Sequence, residues 1–159
     1  MAMTVDKLEQ IAEEFLETNF GITLNAPISL GDLVTDVMGH LSYEVLKTGT
    51  GETIYWPHDI KISEDLANSD NDEYTEDVLK HELIHYALML DRLPFEDDAP
   101  EFIATCKRLN VMVTRTTTAG YKYKCTGCNR EFLQPQKGED KRFSCDCKVP
   151  AEYVGMVIW

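Results

Sequence analysis

Between Val78 and Leu90 the apolar residues Val78, Leu79, Leu83, Ile84, Ala87, Leu88 and Leu90 recur at helical spacing and form one broad stripe. Thr75, Glu76 and Asp77 stand ahead of it as a cap and first-turn acids, so the pattern predicts a helix from Thr75 to Leu90. Leu8, Ile11, Phe15 and Leu16 predict an earlier amphipathic helix from Thr4 to Thr18, with an acidic outer face. From Pro27 to Ser63 the rhythm changes to short strands, Leu41 to Leu46, Thr53 to Trp56 and Ile60 to Ser63, with Gly49-Thr50-Gly51 as a hairpin turn. A polar connection, Asp65 to Asp72, leads into the main helix, and Ala99 to Asn110 reads as another helix. A threonine-rich crossing, Val111 to Ala119, then precedes strands at Tyr121 to Cys125, Arg142 to Cys145 and Tyr153 to Trp159.

At 159 residues and 43% apolar composition, the chain can bury one modest core and a small metal-stapled appendage. Met1-Ala2-Met3-Thr4-Val5-Asp6 lacks the basic and apolar regions of a secretory signal, and no apolar run reaches the length of a membrane span. The expectation is a cytoplasmic protein with no membrane partner, whose cysteines serve as metal ligands in a reducing compartment.

His81-Glu82-Leu83-Ile84-His85 changes the picture, because it matches the HExxH pattern within a predicted helix. Four residues advance a helix by slightly more than one turn, so the two imidazoles share a face and can hold one ion. Glu82 lies beside that face, placed to take a proton from a zinc-bound water without ligating the metal. The fold class that follows is α+β. A small zincin-like domain over 1–110 carries the N-terminal helix, a short antiparallel or mixed sheet, the HExxH helix and a second metal-site helix.

A catalytic zinc needs a third protein ligand and an open position. Asp91 is poorly placed: Leu88 stands where a longer metzincin pattern requires a glycine turn, and a continued helix turns Asp91 away from His85. Asp98, opening the segment Asp98-Ala99-Pro100-Glu101-Phe102, is the favoured ligand, and Glu96, Asp97 and Glu101 are the competing carboxylates. Asp98 also suits a helix N-cap, since Pro follows just inside and Glu101 stands three residues on.

The C-terminal region, 111–159, carries a second metal pattern. Cys125-Thr126-Gly127-Cys128 and Cys145-Asp146-Cys147 place two thiolate pairs sixteen residues apart, the spacing of a β zinc ribbon holding one tetrahedral ion. Only Asp146 separates the second pair, where a knuckle normally has two residues, so Cys147 is the weakest of the four ligands. Cys106 is left to pack in the second helix as a small apolar residue. Two zinc ions are therefore expected, one catalytic and one structural. His40 and His58 lie at no motif spacing and read as strand-edge or turn residues.

These elements together resemble the SprT-like family, which joins an HExxH protease domain to a C-terminal zinc ribbon. The resemblance rests on Gly39-His40-Leu41-Ser42-Tyr43-Glu44, Ile60-Lys61-Ile62-Ser63, His81-Glu82-Leu83-Ile84-His85, Pro100-Glu101-Phe102 and Tyr121-Lys122-Tyr123-Lys124-Cys125-Thr126-Gly127-Cys128, in matching order and spacing. In many relatives a histidine two positions before Pro-Glu-Phe completes the zinc site, and here that position is Asp98. Aspartate also binds zinc, but it changes the charge of the site and its metal preference. Eukaryotic relatives, the Spartan proteases, cut proteins covalently attached to DNA, so the resemblance implies a nucleic-acid-associated protein substrate.

Charge divides the chain. Residues 1–104 carry 5 basic and 23 acidic side chains, a balance of −18, and residues 105–159 carry 10 basic and 5 acidic, a balance of +5. Any phosphate contact with DNA is expected from the basic half, through Lys107, Arg108, Arg115, Lys122, Lys124, Arg130, Lys137, Lys141, Arg142 and Lys148. Those cations can equally form a solvated surface or dock on the acidic half. The leading expectation is a zinc metallopeptidase acting on a protein or peptide, with Glu82 as general base. A rival expectation is a non-catalytic module in which the ribbon binds nucleic acid or protein and the HExxH site is structural.

Overall fold

In the computed structural model, which describes residues 2–33, 37–114, 119–135, 147 and 149–158, the acidic N-terminal segment coils first. The Thr4 side chain accepts a hydrogen bond from the Lys7 backbone N–H and starts α1 (Val5–Phe20), which ends on Gly21 in the left-handed region (φ 64). Leu8, Ala12, Phe15 and Leu16 recur at helical spacing and form its buried stripe, while Ile11 is only partly buried.

A mixed three-stranded sheet follows, in the order β1 (Ile28–Gly31), β3 (Thr53–Ser63), β2 (Gly39–Lys47), with β1 parallel and β2 antiparallel to β3. The two strands expected at 53–56 and 60–63 are one continuous strand. Pro57 interrupts the pattern of side chains but not the strand, because the register shifts there: Ser42 pairs with Asp59 and Tyr43 with Pro57, leaving His58 as a bulge. On the surface His58 meets Glu44 at 3.0 Å.

The expected polar connection at 65–72 contains a short helix, α2 (Glu64–Ala67), capped by Ser63. The main helix, α3 (Asp72–Leu90), starts one turn earlier than expected, because Asn71 rather than Thr75 is the cap. Asn71 accepts from the Tyr74 N–H, and the fully buried Thr75 hydroxyl reaches the Asn71 and Leu66 carbonyls at 3.0 and 3.3 Å. The last helix, α4 (Pro100–Arg108), is capped by Ala99 with no side-chain hydrogen bond, so the cap expected at Asp98 is not made there. A residue before proline is driven to extended backbone, and Ala99 (φ −67, ψ 132) takes up the cap position for that reason.

A second, antiparallel sheet has the order β5 (Glu131–Gln134), β4 (Ala119–Cys125), β6 (Ala151–Ile158). β5 has no counterpart among the strands expected from the pattern, and the strand expected at 142–145 lies outside the described residues. Four helices and two small sheets thus make up a mixed α+β fold among the described residues. One apolar cluster joins α1, the first sheet, α3, Phe102 and Cys106 of α4, and Tyr121 and Met156 of the second sheet. The Tyr153 hydroxyl donates to Asp65 at 2.8 Å and ties β6 to α2. No helix of the described residues is long and apolar enough to cross a membrane.

Gly39 sets the distance between β2 and α3. A Cβ there would lie 2.8 Å from Val78 Cγ1 and 3.1 Å from Glu82 Cγ, whereas one at Gly49 would meet nothing within 4 Å. Gly39→Ala is expected to cost about 1–3 kcal/mol and lower the melting temperature by several degrees, with Gly49→Ala as a neutral control. Equal melting temperatures for the two variants would refute the close approach.

Candidate metal centre

His81 and His85 project from the same face of α3, as residues four apart must. Each ring is held from behind by a backbone carbonyl. His81 Nδ1 donates to Met112 O at 3.0 Å, and His85 Nδ1 donates to Phe95 O. A carbonyl oxygen only accepts, so each Nδ1 carries a hydrogen, and in the neutral form of each ring Nε2 is left with a bare lone pair. Those Nε2 atoms lie 3.2 Å apart, and Asp97 Oδ1 lies 3.3 Å from His81 Nε2 and 3.0 Å from His85 Nε2.

Three acceptors facing one another this closely have no hydrogen to share among neutral rings and a carboxylate, and a cation relieves their repulsion. Bonds of roughly 2.0–2.1 Å to a tetrahedral ion set neighbouring donor atoms about 3.3 Å apart, which is the spacing found here. The residues therefore fit a divalent metal. Packing holds the arrangement: Phe102 stacks flat on His85 (centroids 4.0 Å, interplanar 8°) and meets His81 edge-on at 5.0 Å. Phe95, whose carbonyl anchors His85, is wedged against Tyr43 and Tyr55 at 5.4 and 5.0 Å.

The carboxylate grouped with the two histidines is Asp97, where the sequence favoured Asp98. A turn closed by Ala99 N–H on Glu96 O (3.0 Å) precedes α4; both aspartates are exposed, but only Asp97 has a carboxylate oxygen beside the histidines. The Glu96 carboxylate instead accepts from the Phe95 N–H, and Glu101 is exposed on the first turn of α4. The anchoring carbonyls of Met112 and Phe95 could not be foreseen from the sequence, since every residue carries a backbone acceptor and none marks which one will be used.

The pair opens into a cleft of about 610 Å³, a size that ligand sites commonly have. Glu82 lines it and is buried, and that burial pushes its carboxyl up to about 7. His81 opposes the rise, Asp97 adds to it, and a backbone hydrogen bond from Leu41 lowers it. A carboxyl titrating near neutrality can both take and return a proton. Burial lowers the His85 pKa, with the Phe95 hydrogen bond acting the other way, and this favours the neutral, ligating imidazole.

A second group lies at the end of β4. The sulfurs of Cys125, Cys128 and Cys147 come within 4.8 Å of one another, and Cys145 lies outside the described residues. Cys147, the weakest candidate on spacing, is thus brought to the other two. The turn is shaped for this, with Gly127 N–H pointing at Cys125 Sγ (3.4 Å) and Asn129 in the left-handed region (φ 62). A Cβ on Gly127 would press on Val149 at 2.9 Å and Cys147 at 3.2 Å.

The family model described as the SprT-like family matches residues 16–124. The chain is similar to "Protein SprT-like" of Staphylococcus carnosus (strain TM300), 24% identical over 151 residues that cover 89% of this chain and 91% of that protein. It is also similar to "Protein SprT-like" of Staphylococcus aureus (strain JH9), 23% identical over 90% of this chain and 91% of that protein. No solved structure matches significantly.

The elevated Glu82 pKa has a consequence for metal-free protein. Folded Glu82 keeps its proton up to about pH 7, whereas the unfolded carboxyl loses it near 4.5. The folded state therefore binds more protons across that window, and the parent loses stability relative to Glu82→Gln as pH rises through it. Denaturant unfolding of the two metal-free proteins at pH 5 and pH 7.5 measures this, and a pH-independent difference would place Glu82 at its ordinary value.

Proposed function

The chain belongs to the SprT-like family, and from that premise we propose that it is a zinc-dependent metallopeptidase of the HExxH, zincin-like type. The observation that carries the reading is the set of three bare acceptors, His81 Nε2, His85 Nε2 and Asp97 Oδ1, beside a buried carboxyl poised near neutrality. His81, His85 and Asp97 would hold the ion, three protein donors leaving a fourth position for solvent or substrate. Zinc there supplies Lewis acidity, lowering the pKa of a coordinated water and polarising the scissile carbonyl. Glu82 takes the proton of the attacking water and delivers it to the departing amine as the C–N bond breaks, so that water and peptide yield one carboxylic acid and one amine. The hydrogen bonds from His81 and His85 to Met112 and Phe95 keep both rings oriented through the cycle.

Cys125, Cys128, Cys145 and Cys147 are proposed to hold a second, structural zinc as a ribbon, a reading supported by the convergence of three of them. In this proposal 1–110 is the protease domain and 111–159 the ribbon module. Thiolate ligands suit a reducing compartment, which supports a cytoplasmic location. The substrate is proposed to be a protein associated with nucleic acid, and the division of charge between residues 1–104 and 105–159 favours contact with phosphates through the basic half.

Cleavage of an unfolded protein by the zinc-loaded chain tests the enzyme. Glu82→Gln is expected to keep both ions and the fold while losing activity by about 10²–10⁴-fold. His81→Ala is expected to lose one ion as well. If Glu82→Gln cuts as fast as the parent, the proposed base is wrong. Metal analysis separates the sites: two equivalents of zinc in the parent and one each in His81→Ala and Cys128→Ser, with undiminished zinc in Cys128→Ser refuting the ribbon.

A further inference from the structure

The cleft does not end at the histidines. Tyr74 also lines it, seven residues before His81 on α3 and so on the same helix face, roughly 10 Å along the axis. Its side chain is 7% exposed, and its hydroxyl is buried with no hydrogen-bond partner among the described residues. Buried polar atoms in folded proteins are nearly always paired, and an unpaired one weakens the fold. The Tyr86 hydroxyl, by contrast, accepts from Asn25 N–H at 3.0 Å and donates to Thr23 O at 3.3 Å. A phenylalanine at position 74 would fill the same space without leaving a polar atom unmatched. Packing alone therefore does not account for the oxygen.

The surroundings narrow what it can meet. Val78 stands one turn along α3, with β2 packed on it at Gly39, and the apolar residues Met38, Met112 and Val113 also line the cleft. Of the acidic residues lining the cleft, Asp97 lies against the histidine pair, Glu96 accepts from the Phe95 N–H, and Glu82 lies beside Gly39. A charged group beside Tyr74 would be desolvated against apolar side chains, whereas a neutral one needs only the hydrogen bond that the phenol can donate or accept. We infer that Tyr74 is a specificity residue: its hydroxyl hydrogen-bonds the uncharged polar tip, carboxamide or hydroxyl, of a substrate side chain seated beside Val78 in the cleft. The inference rests on the peptidase reading for the nature of the ligand, though not on the chemical step.

The test uses zinc-loaded Glu82→Gln protein, with and without Tyr74→Phe, and a positional-scanning library of unstructured hexapeptides. Peptides with Gln, Asn, Ser or Thr at one position should bind about tenfold more tightly than those with Met or Leu there. Tyr74→Phe should abolish that preference, keep the binding of the apolar peptides, and melt at a temperature equal to or above that of its parent. The same preference in both proteins, no peptide bound by either, or a lower melting temperature for Tyr74→Phe would overturn the inference, the last because it would reveal a structural partner for the oxygen. Proteolysis by the parent without Tyr74-dependent selection would sink this inference alone. Selective binding with no cleavage by the parent would instead sink the hydrolytic reading and leave Tyr74 as a binding determinant.

Discussion

Two backbone carbonyls govern this site. Once Met112 O and Phe95 O have taken the Nδ1 hydrogens of His81 and His85, the opposite nitrogens of the neutral rings have nothing left to donate, and the helix brings them to within 3.2 Å of each other. Two chain segments must be correctly folded for that to happen: the loop between α3 and α4, and the stretch after α4. The aromatic packing of Phe95 on Tyr43 and Tyr55, and of Phe102 on both imidazoles, keeps those segments in place. The core around α3 thus orients ligands as well as providing stability.

What could be read in advance was whatever depends on short-range periodicity. The helical stripe of Val78, Leu79, Leu83 and Ile84 and the four-residue interval between His81 and His85 are local properties, and both survive intact in α3. The choice between Asp97 and Asp98 was not local. It depended on a turn closed onto Glu96 and on Pro100 forcing Ala99 into the cap, and a one-residue step moved the carboxylate beside the histidines from one aspartate to its neighbour. β1 and β5, at four residues each, are too short to announce themselves and exist through pairing with β3 and β4. Pro57 misled for a related reason, since a bulge at His58 absorbs it within a strand that the side-chain pattern divides in two.

The cysteine-bearing sheet is no loose appendage. Its Tyr121 and Met156 belong to the same apolar cluster as Leu83 and Phe102, and Tyr153 reaches across to Asp65 beside α2. Burial and that hydrogen bond raise the Tyr153 pKa, so the phenol keeps its proton and the donation to Asp65 persists through the neutral range. Met112, whose carbonyl holds His81, lies between α4 and this sheet in the chain, and the apolar cluster joins the elements around both candidate metal groups.

The three donors around the histidine pair differ in their access to water. The imidazole side chains are 17% and 12% exposed, whereas that of Asp97 is 76% exposed. A cation resting there would be gripped from within by rigid rings and fastened from outside by a carboxylate that water can displace. Release would begin on the Asp97 side, where a chelator in solution has access. Exchange with ions in solution would then be faster than from a fully enclosed cage.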